Sequence, residues 1–260
     1  MTLAATLTQT TPDRATVVTR SQLERFRDEL AALTPDQWAT PTDCTRWEVQ
    51  DMARHVAGAT DAGRTMLVFA RHVVGGRLHH RSDAFLDGLN EAQIDDRRDW
   101  SPERVLEDLS RLIEPSVASR RALPGPIRRM PMRLGGLPAG ATMAYLNDVI
   151  ASRDPWMHRV DLARAIGRPM TPEPTDADVV EQVVRDLGRE WSGPSFHLIL
   201  TGPSGGRWMV GDASSVDCGE VEVDAVEFMR HLSGRPIETD LFPTLDEPLA
   251  TALRRARVTF

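Results

Sequence analysis

Apolar side chains recur every three to four residues along most of the first two-thirds of the chain, the spacing of one face of an α-helix. This pattern predicts four amphipathic helices: about 12–33, about 47–73, one that starts at Ser101, and about 141–166. Ser101 followed by Pro102 is a typical helix start, because serine caps the free amides and proline fits the first turn. A polar stretch (75–100) and a loop rich in Pro, Gly and Arg (124–140) separate the helices. Four such helices joined by loops predict a four-helix bundle.

The pattern changes after a proline-rich segment, residues 170–176, which we interpret as a linker. A helix is predicted at about 176–191. Three strand-like segments follow it, at about 196–202, 207–211 and 220–226, and then a short helix at about 227–234. We therefore expect a disordered N-terminus over 1–12, the bundle over 13–169 and a small α+β domain over 176–260. The predicted fold class is an N-terminal four-helix bundle with a smaller C-terminal α+β domain.

Composition and charge narrow the classes of function. The 260 residues carry a net charge of −7, whereas binding to a nucleic-acid backbone needs clustered positive charge. The longest apolar runs are far shorter than the roughly 20 residues needed to cross a bilayer. All 31 basic residues are arginine, which excludes chemistry that depends on a Schiff-base lysine or a P-loop lysine. We expect a cytoplasmic protein, monomeric or homodimeric, with no nucleic-acid or membrane partner.

Three residues on two predicted helices are candidate metal ligands. His55 lies beside the apolar stripe of its helix, and Asp154 and His158 are four residues apart, so they share one helix face. Taken singly, His55 is more typical of a buried structural histidine and the Asp–His pair of a surface ion pair. If all three face the same bundle interior, two imidazoles and a carboxylate form the open, three-ligand site of catalytic zinc or non-haem iron.

Three segments carry a resemblance to a known family. LTPDQWATPTDCTRWEVQDMARHVAGA (33–59) and RDPWMHRVDLARAIGRP (153–169) resemble two motifs of the mycothiol-dependent maleylpyruvate isomerase family, and VEVDAVEFMRHLSGRP (221–236) resembles its C-terminal ending. The resemblance covers nearly the whole chain. It implies a DinB-like bundle followed by a small domain similar to sterol-carrier proteins.

The resemblance also implies the chemistry of the site. It implies a divalent ion, usually zinc, held by His55, Asp154 and His158, with the low-molecular-weight thiol mycothiol as cosubstrate. Arg235 matches an arginine that binds the substrate carboxylate in the isomerase, so we predict that it is a catalytic residue. The chain departs from the family at Asp154, where the isomerase has glutamate, and at Pro155, which favours a kink or a helix start.

Neighbouring residues offer further roles. Asp51, four residues before His55, and Asp161, three after His158, are candidates to orient the imidazoles. Cys44 precedes the second helix, and because no base is evident we expect an unreactive loop residue.

These observations lead to one hypothesis and two alternatives. The leading hypothesis is a metal-dependent, mycothiol-dependent isomerase or transferase acting on a small electrophilic substrate. The first alternative is a non-catalytic small-molecule binding or carrier protein with a structural metal. The second is a metal-dependent hydrolase with metal-bound water as the nucleophile.

Overall fold

The chain folds into two compact units. A computed structural model describes residues 1–80, 84–212, 214–215 and 218–260. One unit, here called the helical unit, is Thr11–Met170, and the other, the mixed unit, combines Met1–Thr10 with Thr171–Phe260. The chain is therefore mostly helical with a small sheet near the C-terminus, an α+β arrangement in agreement with the predicted class.

The helical unit contains both long helices and short helical turns. The long helices are α1 (Pro12–Ala31), α2 (Val49–Ala62), α3 (Met66–His79), α4 (Phe85–Asp95), α5 (Pro102–Arg121) and α8 (Ala151–Ala165). Between α5 and α8 lie α6 (Gly125–Arg128), α7 (Met143–Tyr145) and a π-helical turn (Leu146–Ile150). The predicted start at Ser101 is confirmed, because its side chain accepts a hydrogen bond from the Arg104 amide at 3.4 Å. Thr11 caps α1 in the same way.

Four helices enclose the core of this unit. Helix α1 packs against α5 and α8, and α2 packs against the same two helices. The core cluster takes its buried side chains mainly from these helices: Leu23, Phe26, Leu30, Trp38, Val49, Met52, Ala53, Val56, Ala57, Val105, Leu109, Ile113, Val117 and Leu162. Burial of these apolar surfaces is the main stabilising contribution to the unit.

The predicted second helix, about 47–73, is wrong as a single element. The chain breaks it after α2, and Thr65 takes an extended conformation and caps α3 by accepting from the Val68 amide at 3.2 Å. The stretch expected to be a polar link contains α4, although residues 81–83 within it lie outside the described residues. Helices α3 and α4 pack closely at two glycines, since a Cβ on Gly76 would lie 2.6 Å from the Gly88 carbonyl oxygen.

A buried histidine joins α3 to the end of α4. His72 Nε2 lies 2.7 Å from Asp96 Oδ2, and burial lowers the pKa of His72, an effect that Asp96 opposes and the nearby Arg71 and Arg97 reinforce. Because the unfolded chain binds this proton more tightly, stability rises with pH between the lowered pKa and the ordinary value of 6.5.

We therefore expect stability to fall as pH drops below about 6.5, with a slope from this group of at most about 1.4 kcal/mol per pH unit. Urea denaturation at several pH values measures the slope, and His72→Gln should reduce it. His79→Gln, an exposed change on the same helix, is the control. An equal slope in all three proteins would contradict this prediction.

The mixed unit packs helices around a four-stranded sheet. Its strands are β1 (Thr2–Leu3), β2 (Phe196–Thr201), β3 (Gly206–Val210) and β4 (Gly219–Asp224), and its helices are α9 (Asp176–Glu190), α10 (Ala225–Leu232) and α11 (Glu247–Arg255). The strand order is β1-β3-β2-β4, with β2 antiparallel to β3 and parallel to β4. The three C-terminal strands and α9 agree with the sequence prediction, whereas α11 was not predicted.

The N-terminus differs from the predicted disordered segment. Strand β1 pairs in parallel with β3, with Thr2 opposite Trp208. The Gln182 side chain then holds the chain on both sides of residue 9, accepting from the Thr10 amide at 3.1 Å and donating to the Thr8 carbonyl at 3.0 Å. These hydrogen bonds satisfy backbone groups that would be exposed to solvent in a disordered segment.

Among the described residues, no helix is both long and apolar enough to span a bilayer.

Candidate metal centre

Two helices bring the three predicted ligands together. His55 lies on α2, and its Nε2 is 3.2 Å from Oδ1 of Asp154, a residue 99 positions away on α8. His158, one turn further along α8, places its own Nε2 3.5 Å from the same carboxylate oxygen. The two imidazole rings meet edge to face, with centroids 5.1 Å apart. One nitrogen from each ring and one carboxylate oxygen thus lie within 4.8 Å of one another.

The backbone before Asp154 departs from regular α-helix. The π-helical turn Leu146–Ile150 immediately precedes α8, and π turns occur frequently at functional sites. Helix α8 runs through Pro155 rather than starting there, so Asp154 and His158 keep the i, i+4 relation that places them on one face. The predicted shared face is therefore present, whereas a helix start at Pro155 is not.

Burial and mutual attraction set the charges of the centre. Only 2% of His55 and 4% of His158 is exposed, while the Asp154 side chain keeps 20% of its surface exposed. Burial alone would raise the pKa of Asp154, but the two histidines outweigh it and hold that pKa well below the ordinary value. Burial alone would lower the pKa of His158. The negative charge of Asp154 and hydrogen bonds with Asp154, Asp161 and Cys44 outweigh burial and hold that pKa well above 6.5. The centre therefore keeps an ionised carboxylate that favours a cation beside it.

The donor set fits a divalent ion. Two imidazole nitrogens and a carboxylate oxygen are ligands that zinc accepts, and among the described residues no fourth His, Cys, Asp or Glu joins this group. His55 Nδ1 is buried and has no hydrogen-bond partner within the described part of the chain. Three protein ligands and a partly exposed carboxylate leave room for an additional ligand from solvent or substrate.

The residues around the ligands correct one prediction. Asp161 lies 3.0 Å from His158 Nδ1 and so orients that ring with Nε2 towards Asp154. Asp51 does not orient His55, because its carboxylate accepts instead from Arg54 Nη1 at 3.0 Å. An i, i+4 spacing allowed that contact, but His55 points across to α8.

Sequence reasoning also missed Trp47 and Arg120. The Trp47 ring lies against both histidines, with centroids 5.0 Å from His55 and 6.0 Å from His158. Its position within the quoted motif, eight residues before His55, was the signal available in the sequence.

Arg120 donates to the Ala59 carbonyl of α2 and to Asn147 of the π turn, both at 3.1 Å. Burial lowers the pKa of Arg120 to about 10, and Asp154 and Asp148 oppose this shift.

Arg235 belongs to the other unit. It follows α10, is partly buried, and its backbone amide donates to the Arg230 carbonyl at 3.1 Å. Its catalytic role stays a prediction.

Comparison with known proteins places the chain in a family. The model of the mycothiol maleylpyruvate isomerase N-terminal domain matches residues 19–163, more than half of the chain and the segment that carries all three candidate ligands. The chain belongs to the mycothiol-dependent maleylpyruvate isomerase family.

Solved structures extend the likeness to both units. A crystal structure of mycothiol-dependent maleylpyruvate isomerase matches with a TM-score of 0.58 and 15% identity, covering 92% of this chain and 94% of that one. A histidine-to-alanine mutant of that isomerase matches with a TM-score of 0.56 and 14% identity, covering 91% and 93%. At this identity the likeness shows a shared fold. No curated protein matches the chain by sequence.

Proposed function

We propose that this member of the family is a metal-dependent enzyme that uses mycothiol to isomerise or conjugate a small electrophilic substrate. The observation that carries the proposal is that His55 on α2 meets Asp154 and His158 on α8, although His55 and Asp154 are 99 residues apart in the sequence. We further propose that α1, α2, α5 and α8 are the DinB-like four-helix bundle, with the ligands on its inward faces.

The residues of the chain have separate roles in this proposal. A zinc ion held by the three ligands would lower the pKa of a thiol bound beside it and so provide a thiolate nucleophile. Asp161 accepts a hydrogen bond from Nδ1 of His158 and keeps Nε2 available as a ligand. Trp47 covers the two imidazoles and limits the access of water to them. We propose that Arg235 binds a carboxylate of substrate or thiol through its two-pronged guanidinium.

Maleylpyruvate is the first substrate to test, because the structural relatives are named for it. We expect turnover only when mycothiol is present, and we expect His55→Ala to abolish turnover and to remove mycothiol binding measured by calorimetry. If maleylpyruvate is not turned over, the comparison of mycothiol binding by the wild type and by His55→Ala still tests the site, because it does not require the substrate to be known.

His79→Ala is the control, since His79 is exposed on α3. Equal mycothiol binding by wild type and His55→Ala would overturn the proposal. Turnover of an ester or amide without any thiol would favour a hydrolase instead.

A further inference from the structure

A second group of donors lies on the opposite side of His158. Asp161 Oδ2 is 3.0 Å from His158 Nδ1 and 3.5 Å from Cys44 Sγ. The sulfur, the ring nitrogen and the carboxylate oxygen all lie within 4.8 Å of one another. Asp161 is fully buried and His158 nearly so, while Cys44 keeps partial access to solvent. This group therefore has the size of a cation site and a side from which an ion can enter.

The loop before α2 holds Cys44 in this position. The Cys44 amide donates to Thr42 Oγ1 at 3.1 Å, and its carbonyl accepts from the Trp47 amide at 2.7 Å. The same turn sets the Trp47 ring against the histidines. The thiol is thus placed by a hydrogen-bonded turn. Sequence reasoning predicted an unreactive loop cysteine, because it could not show that Cys44 contacts Asp161, 117 residues later.

Two hydrogen bonds link the three groups, one from the Cys44 thiol to Asp161 and one between Asp161 and His158. The Asp161 carboxylate is sufficient by itself to hold the Nδ1 proton of His158, and a thiol is a weak hydrogen-bond donor. A sulfur, an imidazole nitrogen and a carboxylate oxygen together are instead a donor set that binds thiophilic ions, since sulfur ligands select soft over hard cations.

We propose that Cys44, His158 and Asp161 form a second cation site, selective for thiophilic ions of the cadmium type. Binding there releases two protons to solvent, one from the Cys44 thiol and one from His158 Nδ1, and the proton left on His158 is the one on Nε2, directed at Asp154. A neutral imidazole offers one lone pair, so His158 cannot serve both groups at once. An ion in the second site therefore competes with the ion of the proposed catalytic centre. The second cation site rests on the proposed function only in this respect, that the two ions compete for His158.

Cadmium titration of the 260-residue protein tests the second site without an activity assay. We expect a thiolate-to-cadmium charge-transfer absorption band in the wild type, in Cys218→Ser and in His55→Ala. We expect Cys44→Ser and Asp161→Ala to lose the band or bind cadmium much more weakly. Circular dichroism of Cys44→Ser, a nearly isosteric change, establishes that this variant is folded.

The outcomes separate this inference from the proposed function. His55→Ala removes a ligand of the first group only, so a band retained in His55→Ala supports the second site whether or not the protein is an isomerase. No band in the wild type, or an undiminished band in Cys44→Ser, overturns the inference and leaves the proposed function standing. A band lost in Cys218→Ser but kept in Cys44→Ser overturns it as well, because the sulfur ligand would then be the other cysteine.

Discussion

Replacing His158 by alanine is expected to abolish binding of the proposed divalent ion. The wild type, purified without chelator, should carry about one equivalent, as a three-ligand catalytic site does. His158 is shared by both donor groups, so its loss leaves two ligands in each. Changes outside the ligand set already weaken metal binding by about 10- to 100-fold, and we expect removal of a ligand to cost more. Elemental analysis of the purified variants measures the loss.

Three further variants sharpen this experiment. His55→Ala should also lose zinc. If His55→Ala keeps zinc and a His55→Ala, Cys44→Ser double variant loses it, the zinc retained by His55→Ala is bound at the second site. Asp154→Glu should retain the ion, because it keeps the carboxylate and restores the residue that the resemblance implies for the isomerase. His79→Ala is the control, because His79 is exposed on α3, and its zinc content should match that of the wild type. Full zinc content in His158→Ala would contradict the proposed centre.

Replacing Phe26 by alanine is expected to produce the largest loss of stability. Phe26 lies in the C-terminal half of α1, is 0% exposed and belongs to the core cluster that α1, α2 and α5 share. Truncating a buried phenylalanine removes its apolar burial and leaves a cavity, which costs about 3–5 kcal/mol. Urea denaturation followed by circular dichroism measures the change, and the transition of the helical unit is the one expected to move.

The matched control for this change is on the same helix. Val17 is 46% exposed, so Val17→Ala should alter stability by no more than about 0.5 kcal/mol. Because Phe26 is not among the candidate ligands, the variant should still bind the ion under conditions where it is folded. Equal shifts for the two variants would show that the α1 face carrying Phe26 contributes little to the core.

Sequence alone predicted the features that depend on nearby residues. The i, i+4 spacing placed Asp154 and His158 on one helix face, because the period of an α-helix is a local property. Ser101 and Pro102 marked the start of α5 through capping chemistry that involves only the first turn. Strands β2, β3 and β4 of the mixed unit followed in the same way from short β-type segments between turns.

Other features depend on residues far apart in the chain, and only the tertiary structure decided them. The first residues form β1 because β3, some 200 residues later, offers an open edge to pair with. His55 contacts Asp154 rather than Asp51, and Cys44 reaches Asp161, because the helices and the loop before α2 pack in a particular way. Local spacing determines which face a side chain occupies, whereas the partner across that face is set by packing between elements.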